Sequence, residues 1–154
     1  MTNETWQMEL SSLIQDNVDE ILVKIIQFTH IRHTVISDNI RNCRSAGFVP
    51  RYIDAEDFAK VISAALTEHQ RNKRLALCDS QTINFLPDGD FRLEPQIDTE
   101  AAGLMVSDFE AYIQLQKNRL KENSINNKTA CALLEHKLCR TREPARSDSV
   151  ENKV

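Results

Sequence analysis

What most constrains this chain is one apolar recurrence near its start: Leu10, Ile14, Val18, Ile21, Ile25 and Phe28, then Arg32 in the next slot, then Val35. The steps alternate between four and three residues, which describes a heptad seam, and Leu22 and Ile26 widen it. The spacing predicts a first helix over about 8–43, roughly 35 residues and about 50 Å long at 1.5 Å per residue. That exceeds an ordinary globular helix, so it must find a partner along much of its length.

The last third carries the matching signal. A final helix is expected over about 107–140, with a seam of Phe109, Ile113, Gln116, Leu120, Asn123, Asn127, Ala130, Leu134 and Lys137, and Leu138 alongside. The spacing is again heptad-like, but the contents are far more polar. Polar seam residues weaken a coiled coil while fixing its register and partner. The segment therefore reads as a surface completed by neighbours rather than the permanent centre of a monomeric core. Ile14, Val18, Ile21, Ile25 and Phe28 are expected to supply the packing of the first helix, with Leu120, Leu134 and Leu138 facing them.

Between the two lies a shorter, less regular stretch, the variable middle 54–106. Asp54 reads as an N-cap with Asp57 as capping-box partner, and Phe58, Val61, Ile62, Ala65 and Leu66 form one apolar stripe ending near Arg71 to Arg74. Pro87-Asp88-Gly89-Asp90 is a turn signal between two short β-prone runs, and Pro95 ends or edges the second. Asp88, Asp90 and Asp98 superficially suggest calcium, but the ligand series with a terminal glutamate is missing and turn chemistry accounts for them. The expected fold is mainly α: a coiled-coil-like pair of long terminal helices, a shorter middle helix and a small β-hairpin. It forms one domain over 1–141, followed by a polar, disordered tail over 142–154.

Composition agrees. With 154 residues, 3 Gly, 4 Pro and 6% aromatics, the chain suits one helical domain better than a sandwich or barrel. A formal charge of −4 gives no overall field toward nucleic acid. No apolar run of about 18 residues offers a membrane span, and the opening MTNETWQMEL lacks a basic start and an apolar core, so neither direct membrane insertion nor a cleaved secretory signal is expected. Cys43, Cys78, Cys131 and Cys139 include no CxxC pair and suit neither a zinc ribbon nor a disulfide scaffold.

The residues that carry chemistry are few. There is no nucleophile elbow, phosphate loop, dinucleotide fingerprint or zinc-protease motif. His30 and His33, three apart, lack further ligands in register and read as a solvated face. Arg41, Arg44 and Arg51 surround a helix break that might imitate a helix-turn-helix, but the break is too long, and Asp54, Glu56 and Asp57 put negative charge where phosphate would approach. No catalytic residue, metal or cofactor is expected, and the chain reads as a non-enzyme that does not bind nucleic acid.

The break itself, Ser37 to Asp54, is the most informative turn. Asn39 and Asn42 share one side of a helix end, Gly47 can take a positive φ, Phe48 offers a large ring, and Pro50 bars a return to helix at Val49. The pattern Asn39-Ile40-x-Asn42-x-x-Ser45-x-Gly47-Phe48, with Arg51 four residues after the glycine, resembles the N-terminal signature of bacterial flagellar rod and hook proteins, most of all the proximal-rod branch designated B. Arg41, Ser45 and Ala46 stand where that signature has alanine, threonine and proline. Asn123 followed by Leu133-Leu134-x-x-Lys137-Leu138 is similar to the end of the same branch, whose tyrosine is here Asn127. The likeness covers both ends and not the middle.

The resemblance implies a structural subunit of the basal-body rod in the periplasm, exported from the cytoplasm without a cleaved signal peptide. Its partners would be copies of itself, other rod and basal-body proteins and the flagellar export apparatus. Asn39, Ile40, Asn42, Ser45, Gly47, Phe48 and Arg51 would form the turn and the inter-subunit contact. Two other readings stay open: a cytosolic helical adaptor or chaperone-like protein, suggested by the four cysteines and long helices, and a helical DNA-binding regulator.

Overall fold

A computed structural model describes residues 16–142, with side chains to residue 140. Ile14, Trp6 and the tail beyond 142 lie outside the described residues. In chain order the elements are α1 (Asn17–Arg41), β1 (Arg51–Tyr52), α2 (Ala55–Asn72), β2 (Ile83–Phe85), β3 (Phe91–Leu93), β4 (Gln96–Ile97), α3 (Thr99–Ser107) and α4 (Phe109–Arg142). The architecture is mainly helical, and the long helices α1 and α4 pack together as the heptad spacing predicts. None of the described helices is long and apolar enough to cross a membrane.

Helix α1 is the centre of the molecule because it is apolar on two sides. One side carries Ile21 and Phe28 into a cluster with Phe58, Val61, Ile62 and Ala65 of α2 and Ile83 and Phe91 of the hairpin. The rings of Phe28 and Phe58 stack with centroids 4.0 Å apart, and Phe91 continues the column at 6.1 Å from Phe58. Each such fully buried ring contributes roughly 1.5–3 kcal/mol through the water it sheds. The other side carries Leu22, Val23 and Ile26 against Ala130 and Leu134 of α4. Pairing of Ile21 and Phe28 with α2 is thus a correction: the neighbouring track faces α4. Val18, Ile25 and Leu138 flank that second cluster, and Leu120 is only partly buried, outside both.

The caps explain where the helices begin. Asp16, Asp54 and Asp98 each accept the backbone N–H three residues on, at 2.9–3.0 Å, satisfying a donor the helix leaves open. Asp57 does not complete a capping box at α2. Its carboxylate instead takes the Ser80 hydroxyl at 2.6 Å and the Thr82 hydroxyl at 2.5 Å, tying α2 to the approach of the hairpin. The hairpin forms in the expected place, Ile83 opposite Leu93 and Phe85 opposite Phe91, with Gly89 at φ +86 in its turn.

Two features were not expected. Strands β1 and β4 form a second antiparallel bridge, Arg51 opposite Ile97 and Tyr52 opposite Gln96. Two-residue strands are too short to show alternation, and Pro95 hid the second. The nine-residue α3 then follows, and it lacks a periodic stripe because only Ala101 is buried. Extended Asp108 separates it from α4, whose Ala111 N–H it accepts at 3.1 Å, so α4 starts at Phe109 rather than 107.

Candidate functional site

The α1–α4 seam runs antiparallel and can be followed rung by rung. Near the start of α1, Lys137 sits 3.0 Å from Asp16 and 3.4 Å from Asp19. The Asp19 N–H first, and the hydrogen bond to Lys137 after it, hold the Asp16 carboxyl below its ordinary range, and Asp16 holds the Lys137 ammonium above its own. The apolar rung of Leu22, Val23, Ile26, Ala130 and Leu134 follows. Next, Asn123 donates to the Thr29 carbonyl at 2.7 Å and Asn127 to the Thr29 hydroxyl at 2.9 Å. Arg32 then meets Glu122 at 3.6 Å.

The last rung is built on Asn39. Its Nδ2 donates to the Arg51 carbonyl at 2.6 Å and to Gln116 Oε1 at 3.1 Å, while its Oδ1 accepts the Arg51 N–H at 3.1 Å. Its own carbonyl accepts the Tyr112 hydroxyl at 2.7 Å. Both amide hydrogens and the carbonyl of the side chain are therefore used, and a single buried residue joins α1, β1 and α4. Burial pushes the Tyr112 phenol up to about 12, so it stays a donor at every physiological pH.

Because Asn39 grips the backbone of Arg51, residues 42–51 close into a loop. Asn42 caps α1 through its N–H to Asp38, Ser45 N–H donates to the Asn42 carbonyl at 2.9 Å, and Phe48 N–H to the Ser45 carbonyl at 3.2 Å. Gly47 lies at φ +72, and a Cβ there would meet nothing within 4 Å, so backbone conformation alone selects glycine. Pro50 is buried, and its carbonyl accepts the Asp98 N–H at 2.9 Å.

The sequence-picked residues fall into two groups. Asn39 is buried and, of the two roles open to such an amide, it takes that of holding an open carbonyl, the one of Arg51, and so sets the turn. Asn42, Gly47, Phe48, Val49 and Arg51 line an outward groove of about 500 Å³ with Pro95, while Ser45 is exposed and Ile40 half-buried. The Arg44 guanidinium covers the Phe109 ring at 5.0 Å, joining the loop to the start of α4. Tyr112, Thr29 and the Asp98–Arg119 ion pair were missed. Tyr112 lies four residues before Gln116 on the seam, one step from the Phe109–Ile113 track read from spacing, and that four-residue spacing was the available clue.

The polar seam of α4 also requires a correction. Gln116 and Asn123 are buried against α1 rather than left open to neighbours. The antiparallel partner supplies the Asn39 amide N–H to Gln116 Oε1 and the Thr29 carbonyl to Asn123 Nδ2, while Gln116 Nε2 and Asn123 Oδ1 stay buried without a partner.

His33 is exposed and lines a shallow groove with Lys117 and Lys121, and the described residues hold no cluster of three or more metal-ligating side chains. All four cysteines are free; Cys43 donates to the Ile40 carbonyl at 3.1 Å, and burial pushes the Cys131 thiol up. No family model, curated protein or solved structure matches the chain.

Proposed function

We propose that the chain is a structural subunit of the bacterial flagellar basal-body rod, working mechanically and making or breaking no bond. The reading is carried by one observation: the spacing Asn39…Gly47…Arg51 closes a loop at the end of a long helix pair, with its glycine at positive φ and its outer face open. Asn39 and Gly47 of that resemblance have tasks that depend on residue type, the one through its amide and the other through its positive φ. A rigid α1–α4 rod with a protruding loop is suited to stacking in a tube through heterologous contacts, with copies of itself and other rod proteins as neighbours. The same reading puts it in the periplasmic rod, delivered by the flagellar export apparatus without a cleaved signal.

The test is whether the chain co-purifies with basal bodies of the source cells, and whether a deletion strain complemented with Gly47→Val loses it there. Recovery of wild type and loss of the variant are expected. Normal flagellation in the deletion strain, or a chain found only in the cytosol, would overturn the proposal.

One observation favours a competing reading as a cytosolic helical adaptor: Gln116 Oε1 and Asn123 Nδ2 are bonded to α1 within the chain, so these two groups need no neighbour. Sedimentation separates the two. A rod subunit stays monomeric when dilute and lacking partners, whereas an adaptor of this kind is already a compact dimer.

A further inference from the structure

Helices α2 and α4 each pack on α1 but on different sides of it, and between them a groove of about 420 Å³ stays open. Leu22, Ile25 and Phe28 of α1 line it, with Ile62 and Leu66 of α2 on one wall and Leu133 of α4 on the other. Leu133 is 53% exposed and Leu66 37%, so the rims of both walls are open. Large aliphatic side chains left in water along one trough favour a further apolar surface that covers them. The trough shares no lining residue with the groove beside Gly47, so its occupant is independent of the rod reading.

The chain enters α1 at one end of this trough, between its two walls. Asp16 pairs with Lys137 of α4 at 3.0 Å, and Asn17 Nδ2 lies 3.3 Å from His69 Nδ1 of α2. Leu133 and Leu66 lie about one turn along from those two contacts. The backbone at Asp16 is extended, with φ −145 and ψ 178, and its side chain caps α1, so α1 does not run through it as one helix. The register predicted from Leu10 onward is interrupted there. Residues 1–15 hold Trp6, Leu10, Leu13 and Ile14 at helical spacing. Residues 143–154, which follow α4 at the same end, hold no aromatic side chain and no Leu or Ile.

We propose that residues 1–15 turn back at Asp16 and lay Trp6, Leu10, Leu13 and Ile14 along the groove, antiparallel to α1. Ile14 then sits between Leu66 and Leu133, and Trp6 reaches the end where Phe28 meets Phe58. The lengths agree, since Trp6 to Ile14 and Phe58 to Leu66 are equal stretches of about 12 Å at 1.5 Å of helix per residue. The groove is thus closed by the chain itself, and a partner helix that docks there must first displace this segment.

Trp6 is the sole tryptophan, so the fluorescence of the full chain reads the segment directly. In the native chain its emission should be blue-shifted, and its quenching by acrylamide at least threefold weaker, relative to the chain unfolded in urea. Ala59→Glu and Leu133→Glu each place a carboxylate at an exposed groove position. Both should return emission and quenching to the unfolded values while helix circular dichroism is unchanged. Ile125→Glu, exposed on α4 outside the groove, should leave Trp6 protected. If one groove variant does not fold, the other decides against that control. A Trp6 already exposed in the wild type, or protected and unmoved by the groove variants, overturns the proposal. Protection that vanishes on dilution together with a sedimenting dimer overturns it as well, because a second copy then fills the groove.

Discussion

The two sides of α1 make opposite use of the same helix. Toward α2 and the hairpin it presents Ile21 and Phe28 to a dry cluster of rings and aliphatics, where contacts are non-directional. Toward α4 the apolar contact is Leu22, Val23 and Ile26, flanked by Val18 and Ile25, and from Thr29 to Asn39 the hydrogen bonds and ion pair are made by amides, a hydroxyl, a phenol and a guanidinium. The first side supplies most of the driving force. The second fixes which residue of α4 opposes which residue of α1, because each amide has one geometry that satisfies it.

The comparison is broken most strongly on the dry side. Phe58→Ala removes the ring between Phe28 and Phe91 and should destabilise the chain by about 3–5 kcal/mol, read from urea unfolding followed by helix circular dichroism. A loss under about 1 kcal/mol would mean that the cluster collapses around the gap and is not the chief source of stability.

On the polar side, two substitutions of the same kind should behave differently. Asn39→Leu leaves the Arg51 N–H and carbonyl and Gln116 Oε1 without their partner, and should cost about 2–3 kcal/mol. Asn123→Leu also removes a buried Oδ1 that has no partner, which offsets the lost bond to Thr29, so stability should stay within about 1 kcal/mol of wild type. Equal losses would show that the seam acts as one network rather than through the Asn39 hub.

Those contrasts also mark what was legible in the sequence. Helical spacing at both ends, the hairpin, the Asp54 cap and the glycine turn follow from local rules that need no knowledge of the partner. The orientation of α1 does not. With apolar residues at 21, 22, 23, 25, 26 and 28, two adjacent tracks are equally good seams, and only the three-dimensional demand of Phe58 and Phe91 assigns Ile21 and Phe28 to one and Leu22 and Ile26 to the other. The polar track of α4 could not be read for the same reason: Gln116 and Asn123 look unfinished until Asn39 and Thr29, dozens of residues away, are set beside them.

The loop joins the two sides, and its glycine tests conformation apart from packing. Gly47→Val forces a β-branched residue to φ +72 and should cost about 1–3 kcal/mol, although nothing lies within 4 Å of the added Cβ. Gly47→Asn should cost distinctly less, since asparagine enters the left-handed region more readily. Similar losses for both would point to an unseen contact at the loop rather than to backbone strain.

The smallest effect is expected where the dry side is held by a solvated clamp. Asp57 is kept below the ordinary carboxylate range by the Ser80 hydroxyl first and the Thr82 hydroxyl next, and an exposed group of this kind adds little at neutral pH. Its folded pKa is depressed, so its contribution is fully present above the unfolded carboxylate pKa and disappears as pH falls through the lower, folded one. Asp57→Asn should therefore lower the melting temperature slightly at pH 6–7 and make no difference at the acid end, where the wild-type carboxylate is itself protonated. The Asp16–Lys137 contact on the polar side gives the contrasting control, because Asp16→Asn loses a partner for Lys137 as well as its own acid titration. If Asp57→Asn shifts stability as much at low pH as at neutrality, the hydroxyls of Ser80 and Thr82 are held by shape rather than by charge, and the hairpin owes its position to Phe91 alone.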